Sequence, residues 1–212
     1  MSLFQVNTGT RDQEVCCLRW EWKIDVPELE TSVFLIPSDF GGRTENSGVK
    51  NGEDRLVVLN DVAQSVIESC RGTHKTYVFT YEGKKVGRMN NSGWDKARIR
   101  AAMKIFVGSG KVIPSELLKE GQRGTLITDE LKQFMKSVMP GIADVRDHDL
   151  KHTFGRRLRA SGVSLETRKV LLGHKNGDIT SHYSAPEIEE LLEAANGVCR
   201  SKSGKSPAKV RQ

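Results

Sequence analysis

The most informative stretch of the chain is Asp147-His148-Asp149-Leu150-Lys151-His152-Thr153-Phe154. Its spacing predicts a helix over residues 146–160, on which His148 and Lys151 stand three positions apart and share one face. Apolar residues recur at every fourth position of this segment and are expected to face the core: Leu150, Phe154 and Leu158. The stretch therefore predicts a helix that holds titratable side chains beside a buried surface.

Two shorter segments continue this pattern downstream. The sequence Leu171-Leu172-Gly173-His174 closes a predicted helix over residues 164–172, because Gly is the usual residue just past a helix end. His174 is then expected to project from the turn. Tyr183 follows nine residues later, shortly before a predicted helix over residues 186–195 that has Pro in its first turn. The polar neighbours of the tyrosine favour an accessible hydroxyl over a buried ring.

The rest of the pattern is mostly helical, with one small sheet. Branched residues form two strand-like runs at 32–37 and 54–59, and the polar segment between them predicts a hairpin with a long connection. The other predicted elements are helices at 12–19, at 60–71 with an Asn60 or Asp61 cap, at 91–106 and at 129–138, a third strand at 77–81, and an irregular segment at 108–128. The predicted fold class is mostly α with a small antiparallel β-sheet, an α+β fold.

The chain has 212 residues, with 33 Lys and Arg against 27 Asp and Glu, and a formal net charge of +6. This composition is typical of a globular protein, and no apolar run approaches the roughly 18 residues of a membrane span. With no secretion signal at the N-terminus, we expect a cytoplasmic protein without membrane association. The four cysteines form no Cys-x-x-Cys pair, which argues against a disulfide scaffold or an all-cysteine zinc site.

The positive charge is concentrated in two regions. Residues 146–175 hold eight Lys and Arg against three acids, and residues 200–212 hold five Lys and Arg with no acid. The second region is rich in Ser, Gly and Lys, and we expect it to be a disordered tail. Residues 176–199 hold five acids and no Lys or Arg, which suits a protein contact better than a DNA contact. The useful positive field therefore surrounds the stretch at 147–154.

Five positions resemble, in order, the signature of the tyrosine recombinases of the phage-integrase type. In that family an Arg lies near the start of the catalytic domain, a Lys lies on a β-hairpin, a His-x-x-Arg helix and a second His or Trp follow, and a nucleophilic Tyr comes about nine residues later. The resemblance assigns these catalytic roles to Arg11, Lys50, His148, His174 and Tyr183. Lys151 stands where the family has its second arginine, and Glu14 is placed to orient Arg11.

The resemblance covers about residues 5–198 and implies a catalytic domain over residues 1–198, followed by the basic tail at 199–212. It also implies that the family's N-terminal DNA-binding domain is absent from this chain. The implied partners are double-stranded DNA and further copies of the chain in a tetramer on DNA, in a bacterial or phage-derived system associated with the nucleoid. The expected DNA-binding residues are Arg156, Arg157 and Lys175.

The residue types suit phosphodiester cleavage without a metal or another cofactor. The Tyr183 hydroxyl attacks the phosphorus and forms a covalent phospho-enzyme, while His148 and His174 are suited to proton transfer and phosphate contacts. Lys50 can protonate the departing 5′ oxygen, whereas an arginine does not readily release its proton. Lys151 keeps a positive charge but lacks the two-pronged grip of a guanidinium, which predicts weakened transition-state stabilisation.

Three alternatives stay open from the sequence. His148 and His152 stand four residues apart as in a zinc helix, but Asp149 occupies the position where that motif needs Glu, so a metal site is disfavoured. A type IB topoisomerase would share the chemistry, although the close spacing of the two histidines and the tyrosine favours a recombinase. A DNA-binding relative that has lost catalysis would be consistent with the lysine at the second-arginine position.

Overall fold

A computed structural model of the chain describes residues 1–41, 52–89, 92–122, 124–174 and 185–199. The chain divides into two compact units: the first comprises Met1–Met89 and His148–Gln212, and the second comprises Asn90–Asp147. Within the described ranges, none of the helices combines the length and the apolar composition that a membrane crossing requires.

The elements confirm the predicted fold class, a mostly α fold with small antiparallel sheets. The chain begins with α1 (Ser2–Thr8), α2 (Asp12–Cys16), β1 (Lys23–Val26), β2 (Thr31–Ile36), β3 (Arg55–Val58), α3 (Asp61–Cys70), β4 (Thr80–Tyr81) and β5 (Lys84–Lys85). The second unit contains α4 (Ser92–Gly108), β6 (Glu120–Gly121), β7 (Gly124–Thr125), α5 (Asp129–Val138) and α6 (Pro140–Ala143). Three more helices follow: α7 (Asp147–Ala160), α8 (Leu165–Leu171) and α9 (Ala185–Gly197).

The main sheet separates two hydrophobic cores. It is antiparallel, with β2 between β1 and β3, and the pairing of β2 with β3 confirms the predicted hairpin. Successive strand residues point to opposite faces, so the two strands divide their side chains between the cores. The core that includes α1 and α3 receives Phe34, Ile36 and Val57. The core that includes α7, α8 and α9 receives Val33, Leu56 and Val58.

Helix α7 has the core-facing side that the spacing predicts. Phe154 and Leu158 are buried in the same core as Leu171 of α8 and Leu191 of α9. Leu150 is partly buried and packs against the other core. The helix is therefore anchored on both sides of the sheet, and its position fixes the backbone that carries His148 and Lys151.

The chain after α2 departs from the prediction. Helix α2 ends at Cys16, three residues before the predicted end, because the chain then pairs with a distant segment: the Val78 N–H donates to the Leu18 carbonyl at 2.9 Å. The predicted third strand is reduced to the two-residue strand β4, since Tyr77 joins only an isolated bridge with Arg19. Helix α1 and strand β1 are not predicted, because α1 buries the polar residues Gln5, Asn7 and Thr8 and β1 buries only Val26, so neither shows a regular apolar spacing.

The second unit has its own small core between α4, α5 and α6. Its buried members include Ile99, Ala102, Leu131, Met135 and Ala143. The segment predicted to be irregular joins α4 to α5, and it contains a 3-10 helix at Ser115–Leu117 and the short strands β6 and β7. This unit contributes none of the described residues of the site below.

Asn60 begins α3 and joins it to two other helices. Its side-chain oxygen accepts a hydrogen bond from the Ala63 N–H at 3.0 Å, and its amide donates to Asn7 Oδ1 and the Ala195 carbonyl, each at 3.3 Å. Asn60→Ala removes the cap and takes one donor away from Asn7 Oδ1 and from the Ala195 carbonyl. It should lower the free energy of unfolding, measured by urea denaturation, by about 2–3 kcal/mol.

A second helix cap provides the control for Asn60→Ala. Ser164 caps α8 from an exposed position, and its hydroxyl accepts from the Thr167 N–H at 3.1 Å. Ser164→Ala should cost only about 1 kcal/mol, because water replaces the lost hydrogen bond. Equal losses in the two variants would mean that the buried contacts of Asn60 add nothing to its cap.

Candidate active site

The structure describes four of the six predicted catalytic residues, and all four lie in the first unit. Arg11 precedes α2, His148 and Lys151 lie on α7, and His174 follows α8. The predicted lysine Lys50, the predicted nucleophile Tyr183 and the expected DNA-binding residue Lys175 lie outside the described residues.

A carboxylate on the first turn of α2 holds Arg11. The Arg11 backbone N–H donates to Glu14 Oε2 at 2.7 Å, and its Nη1 donates to Glu14 Oε1 at 2.8 Å. A Glu three residues after the N-cap commonly closes a helix start in this way. The other terminal nitrogen of Arg11, Nη2, donates to the Gly173 carbonyl at 3.4 Å. Glu14 therefore sets the direction of the Arg11 guanidinium.

Arg55 on β3 is a buried cation that the sequence pattern does not single out. It is 3% exposed; Nη1 forms an ion pair with Glu14, and Nη2 donates to the Gly9 carbonyl at 2.9 Å and the Leu171 carbonyl at 3.4 Å. The sequence signal that could have identified Arg55 is its place as a charged residue beside a run of branched apolar residues. A buried arginine needs charged or hydrogen-bonding partners, so this position predicts a buried acid nearby.

The Glu14 carboxylate lies between the two guanidinium groups. Its burial raises the pKa, but the charge of Arg55 and then the hydrogen bonds from Arg11 outweigh that effect, so the pKa of Glu14 lies below its usual range. Burial lowers the pKa of Arg55, and the charge of Glu14 opposes this shift. Glu14 is therefore ionised at neutral pH and offsets one positive charge.

Three basic side chains converge on the C-terminal end of α8. The last carbonyls of a helix have no partners within the helix and carry partial negative charge, which favours cations at this end. The three hydrogen bonds run from Arg55 to the Leu171 carbonyl, from Lys151 to the Leu172 carbonyl and from Arg11 to the Gly173 carbonyl. Side chains from β3, α7 and the start of α2 therefore meet at the end of this helix.

Lys151, which is expected at the second-arginine position, is buried. It is 5% exposed, and its Nζ donates to the Leu172 carbonyl. Burial, followed by the nearby charges of Arg55 and Arg11, lowers the pKa of Lys151 to about 6, although Glu14 opposes the shift. The amine is therefore mostly uncharged at neutral pH when no anion is bound beside it.

Lys151 should make the stability of the fold depend on pH. Its pKa is about 6 in the folded protein and about 10.5 in the unfolded chain, so between these values the unfolded chain binds one proton more. The free energy of unfolding should therefore rise with pH across this window, by up to about 1.4 kcal/mol per pH unit from this group. Urea denaturation across the window, compared with Lys151→Met, isolates the contribution. Parallel pH curves for the two proteins would contradict the lowered pKa.

His174 projects from the turn that ends α8, as the glycine before it predicts. Gly173 has a left-handed backbone with φ of 60°, and the His174 N–H donates to the Lys169 carbonyl at 2.9 Å. Burial and then the charges of Lys151 and Arg11 lower the pKa of His174. The lowered pKa keeps the imidazole neutral at neutral pH, which is the form that can accept a proton.

His148 lies on the exposed side of α7, one turn before Lys151. Its ring lies edge to face with that of His152, with centroids 4.5 Å apart. In the part of the chain that the structure describes, no three His, Cys, Asp or Glu residues form a group that would hold a metal ion. An imidazole can transfer a proton or contact a phosphate, so both chemistries stay predictions for His148.

The two described residues that are expected to bind DNA differ in exposure. Arg156 is exposed on α7, whereas Arg157 is partly buried and its Nη2 donates to the Val198 carbonyl at 2.9 Å. Arg157 therefore fastens the end of α9 to α7. Its role toward DNA stays a prediction.

The positive and negative charges do not balance in the cationic cluster, which consists of Arg11, Glu14, Arg55 and Lys151. Glu14 offsets the charge of one guanidinium, while Arg11 and Arg55 are both cationic and Lys151 becomes cationic on taking a proton. An anion that enters beside Arg11 would restore the balance. A phosphate group suits this position because guanidinium and ammonium donors form strong charge-assisted hydrogen bonds with its oxygens.

The Phage integrase family model matches residues 1–190, which is most of the chain and includes the whole cationic cluster. No curated protein and no solved structure matches the chain. The family consists of tyrosine recombinase catalytic domains, which bind DNA and generally break and rejoin its strands. The match and the cluster agree, and the chain therefore belongs to the phage integrase family.

Proposed function

We propose that this chain is the catalytic domain of a site-specific DNA recombinase or integrase that works through a 3′-phosphotyrosyl intermediate on Tyr183. The observation that carries the proposal is the convergence of Arg11, Lys151 and His174 around the end of α8 in a member of this family. The cluster has an excess of positive charge, and the scissile phosphate of DNA would supply the missing negative charge.

In the proposed first step, the Tyr183 hydroxyl attacks the scissile phosphorus. A bond forms between phosphorus and the tyrosine oxygen as the bond to the 5′ oxygen breaks, and Lys50 gives a proton to that oxygen. The pKa of free tyrosine is near 10, so the hydroxyl proton must be taken up during attack, and His148 and His174 are suited to accept it. The DNA strand is then joined to the protein through its 3′ phosphate.

In the proposed second step, a 5′ hydroxyl of a DNA end attacks the phosphotyrosine. The phosphodiester forms again as the bond to tyrosine breaks; Lys50 takes the proton of the 5′ hydroxyl, and the tyrosine oxygen regains its proton from the histidine that held it. The covalent intermediate conserves the phosphodiester bond, so this exchange needs no ATP. Use of a second DNA molecule as the source of the hydroxyl makes the reaction a strand exchange.

Arg11 has the geometry to contact the non-bridging phosphate oxygens. Its side chain is 22% exposed, whereas that of Arg55 is 2% exposed. The contact of Arg11 Nη2 with the Gly173 carbonyl is long, at 3.4 Å, so this donor can turn to a phosphate while Nη1 stays on Glu14. Negative charge grows on these oxygens in the transition state, and a fixed donor there lowers the barrier.

Lys151 makes this chain a weak catalyst in our proposal. A buried amine with a pKa of about 6 must take up a proton before it can act as a cation, and it then offers no planar fork. The expected loss of transition-state stabilisation is about 2.7–4 kcal/mol, which is typical of one missing oxyanion donor. The same observation favours a second candidate function, DNA binding by a relative with little or no catalytic activity.

The proposal includes the assembly and its setting. We place the catalytic domain at residues 1–198 and a basic tail at 199–212, and we assign DNA contacts to Arg156, Arg157 and Lys175. The active form is a tetramer of this chain on double-stranded DNA. Its location is the cytoplasm of a bacterial or phage-derived system, in association with the nucleoid.

The experiment that tests the function is capture of DNA by the wild-type chain. We would incubate it with duplexes of randomised sequence, each nicked a few nucleotides 3′ of the candidate scissile phosphate, so that the short fragment diffuses away after cleavage. A denaturing gel should then show a covalent adduct with the 5′-labelled strand. DNA binding without an adduct would support the second candidate, and relaxation of supercoiled plasmid without strand exchange would support a topoisomerase.

A further inference from the structure

Arg55 connects three separate segments of the candidate site. It binds the Glu14 carboxylate of α2, the Gly9 carbonyl two residues before Arg11, and the Leu171 carbonyl at the end of α8. No described contact of Arg55 faces solvent, since its side chain is 2% exposed. It therefore acts on the site through other residues and not on DNA directly.

The Glu14 carboxylate transmits the position of Arg55 to Arg11. Oε2 accepts from Arg55 Nη1 and also from the Arg11 backbone N–H, while Oε1 accepts from Arg11 Nη1. The carboxylate is thus fixed on one side by the sheet and on the other side by the arginine of the site. A displacement of Arg55 would change the angle at which Glu14 presents the Arg11 guanidinium.

The end of α8 is packed directly against the Arg55 side chain. A Cβ built on Gly173 would lie 2.6 Å from Arg55 Nε, which is closer than such atoms approach, so only glycine fits beside the arginine. Gly173 directly precedes His174, and its carbonyl accepts from Arg11. The Arg55 side chain therefore also fixes the turn from which His174 projects.

We propose that Arg55 is a positioning residue for DNA strand breakage. Through Glu14, it holds Arg11 at a fixed position relative to the end of α8, which His174 follows. This inference rests on the proposed function, because the position of Arg11 relative to His174 matters only if both residues act on one phosphate. A guanidinium is required because its two terminal nitrogens together reach three acceptors, the Glu14 carboxylate and the Gly9 and Leu171 carbonyls. A lysine would keep the charge beside Glu14 but would not hold all three contacts.

The test uses Arg55→Lys, Glu14→Gln and the double variant in the full chain. We would measure single-turnover adduct formation at saturating nicked duplex, together with the Kd for that duplex. Each single variant should lower the rate by roughly tenfold to a hundredfold, with the Kd within about twofold of wild type, because a misplaced donor affects the transition state and not overall DNA affinity. The double variant should be little slower than the slower single variant, since both changes break one linkage.

Val57→Ala is the matched control on the same strand. Val57 is 2% exposed and belongs to the hydrophobic core that includes α1 and α3, so its truncation should lower stability without changing the rate of the folded protein. A positioning role predicts a slower reaction for Arg55→Lys in a fully folded protein. A wild-type rate for Arg55→Lys, a Kd that weakens in proportion to the rate, or fully multiplicative effects in the double variant would overturn the inference.

Hydrogen exchange gives a second measurement that needs no activity. The Arg11 amide donates to Glu14 Oε2, whereas the Ala63 amide donates to Asn60 and serves as an internal reference. In Arg55→Lys the Arg11 amide should exchange roughly tenfold faster relative to that reference, and unchanged protection would overturn the positioning role. Absence of an adduct with the wild-type chain would instead overturn the proposed function, and amide exchange would still decide whether Arg55 holds Arg11.

Discussion

Tyr183→Phe should abolish the covalent adduct with nicked duplex DNA while leaving the affinity for that duplex within about twofold of wild type. The change removes one oxygen atom, which is the proposed nucleophile, and leaves the aromatic ring in place. No other group in the proposed mechanism can form the phosphate ester. The yield of labelled adduct on a denaturing gel should therefore fall below detection.

Tyr81→Phe is the matched control for the loss of a tyrosine hydroxyl. Tyr81 lies on β4 with 71% of its surface exposed, and the proposed mechanism assigns it no role. This variant should form adduct at the wild-type rate. Wild-type yield in Tyr183→Phe would show that a different residue attacks the phosphate.

Lys151→Arg should raise the rate of covalent adduct formation by about a hundredfold at neutral pH. Arginine stays charged at this position even when buried, and its fork offers two directed donors to a phosphate. Lysine has no such fork, and it is mostly uncharged here because burial and the charges of Arg55 and Arg11 lower its pKa to about 6. The measurement is the single-turnover rate on the captured nicked duplex, with urea denaturation to check that both proteins are folded.

The advantage of arginine at position 151 should grow with pH. Lys151 is positively charged below its folded-state pKa of about 6 and loses that charge as the pH rises, whereas an arginine does not. The ratio of the Lys151→Arg rate to the wild-type rate should therefore be smallest near pH 6 and increase toward pH 8. Lys151→Met should be the slowest protein throughout. An unchanged or lower adduct yield in Lys151→Arg would remove the assignment of this position to transition-state stabilisation.

The parts of the fold that the sequence predicts well are governed by local pattern. The four-residue spacing of apolar residues on α7 and the Asn60 cap of α3 depend on residues within one or two helical turns of each other. Gly173 is predicted for the same reason, since its left-handed backbone is set by the end of α8. These features position His148, Lys151 and His174 correctly on their elements.

The parts that the sequence does not predict depend on distant contacts. Arg55 interrupts an apolar strand, and nothing near it in sequence shows that Glu14 and the Leu171 carbonyl pair with it across 41 and 116 residues. The burial of Lys151 likewise follows from the close approach of α8. Side-chain pattern identifies which residues carry charge, whereas tertiary packing decides which of them meet and how their pKa values change.

We propose that the DNA strand is joined to Tyr183 through a 3′ phosphate. After capture of a nicked duplex, nuclease and protease digestion would leave a short nucleotide on a single peptide, and mass spectrometry would identify the modified residue. We expect the nucleotide on Tyr183, linked through its 3′ phosphate. Attachment at another residue, or linkage through a 5′ phosphate, would contradict the claim.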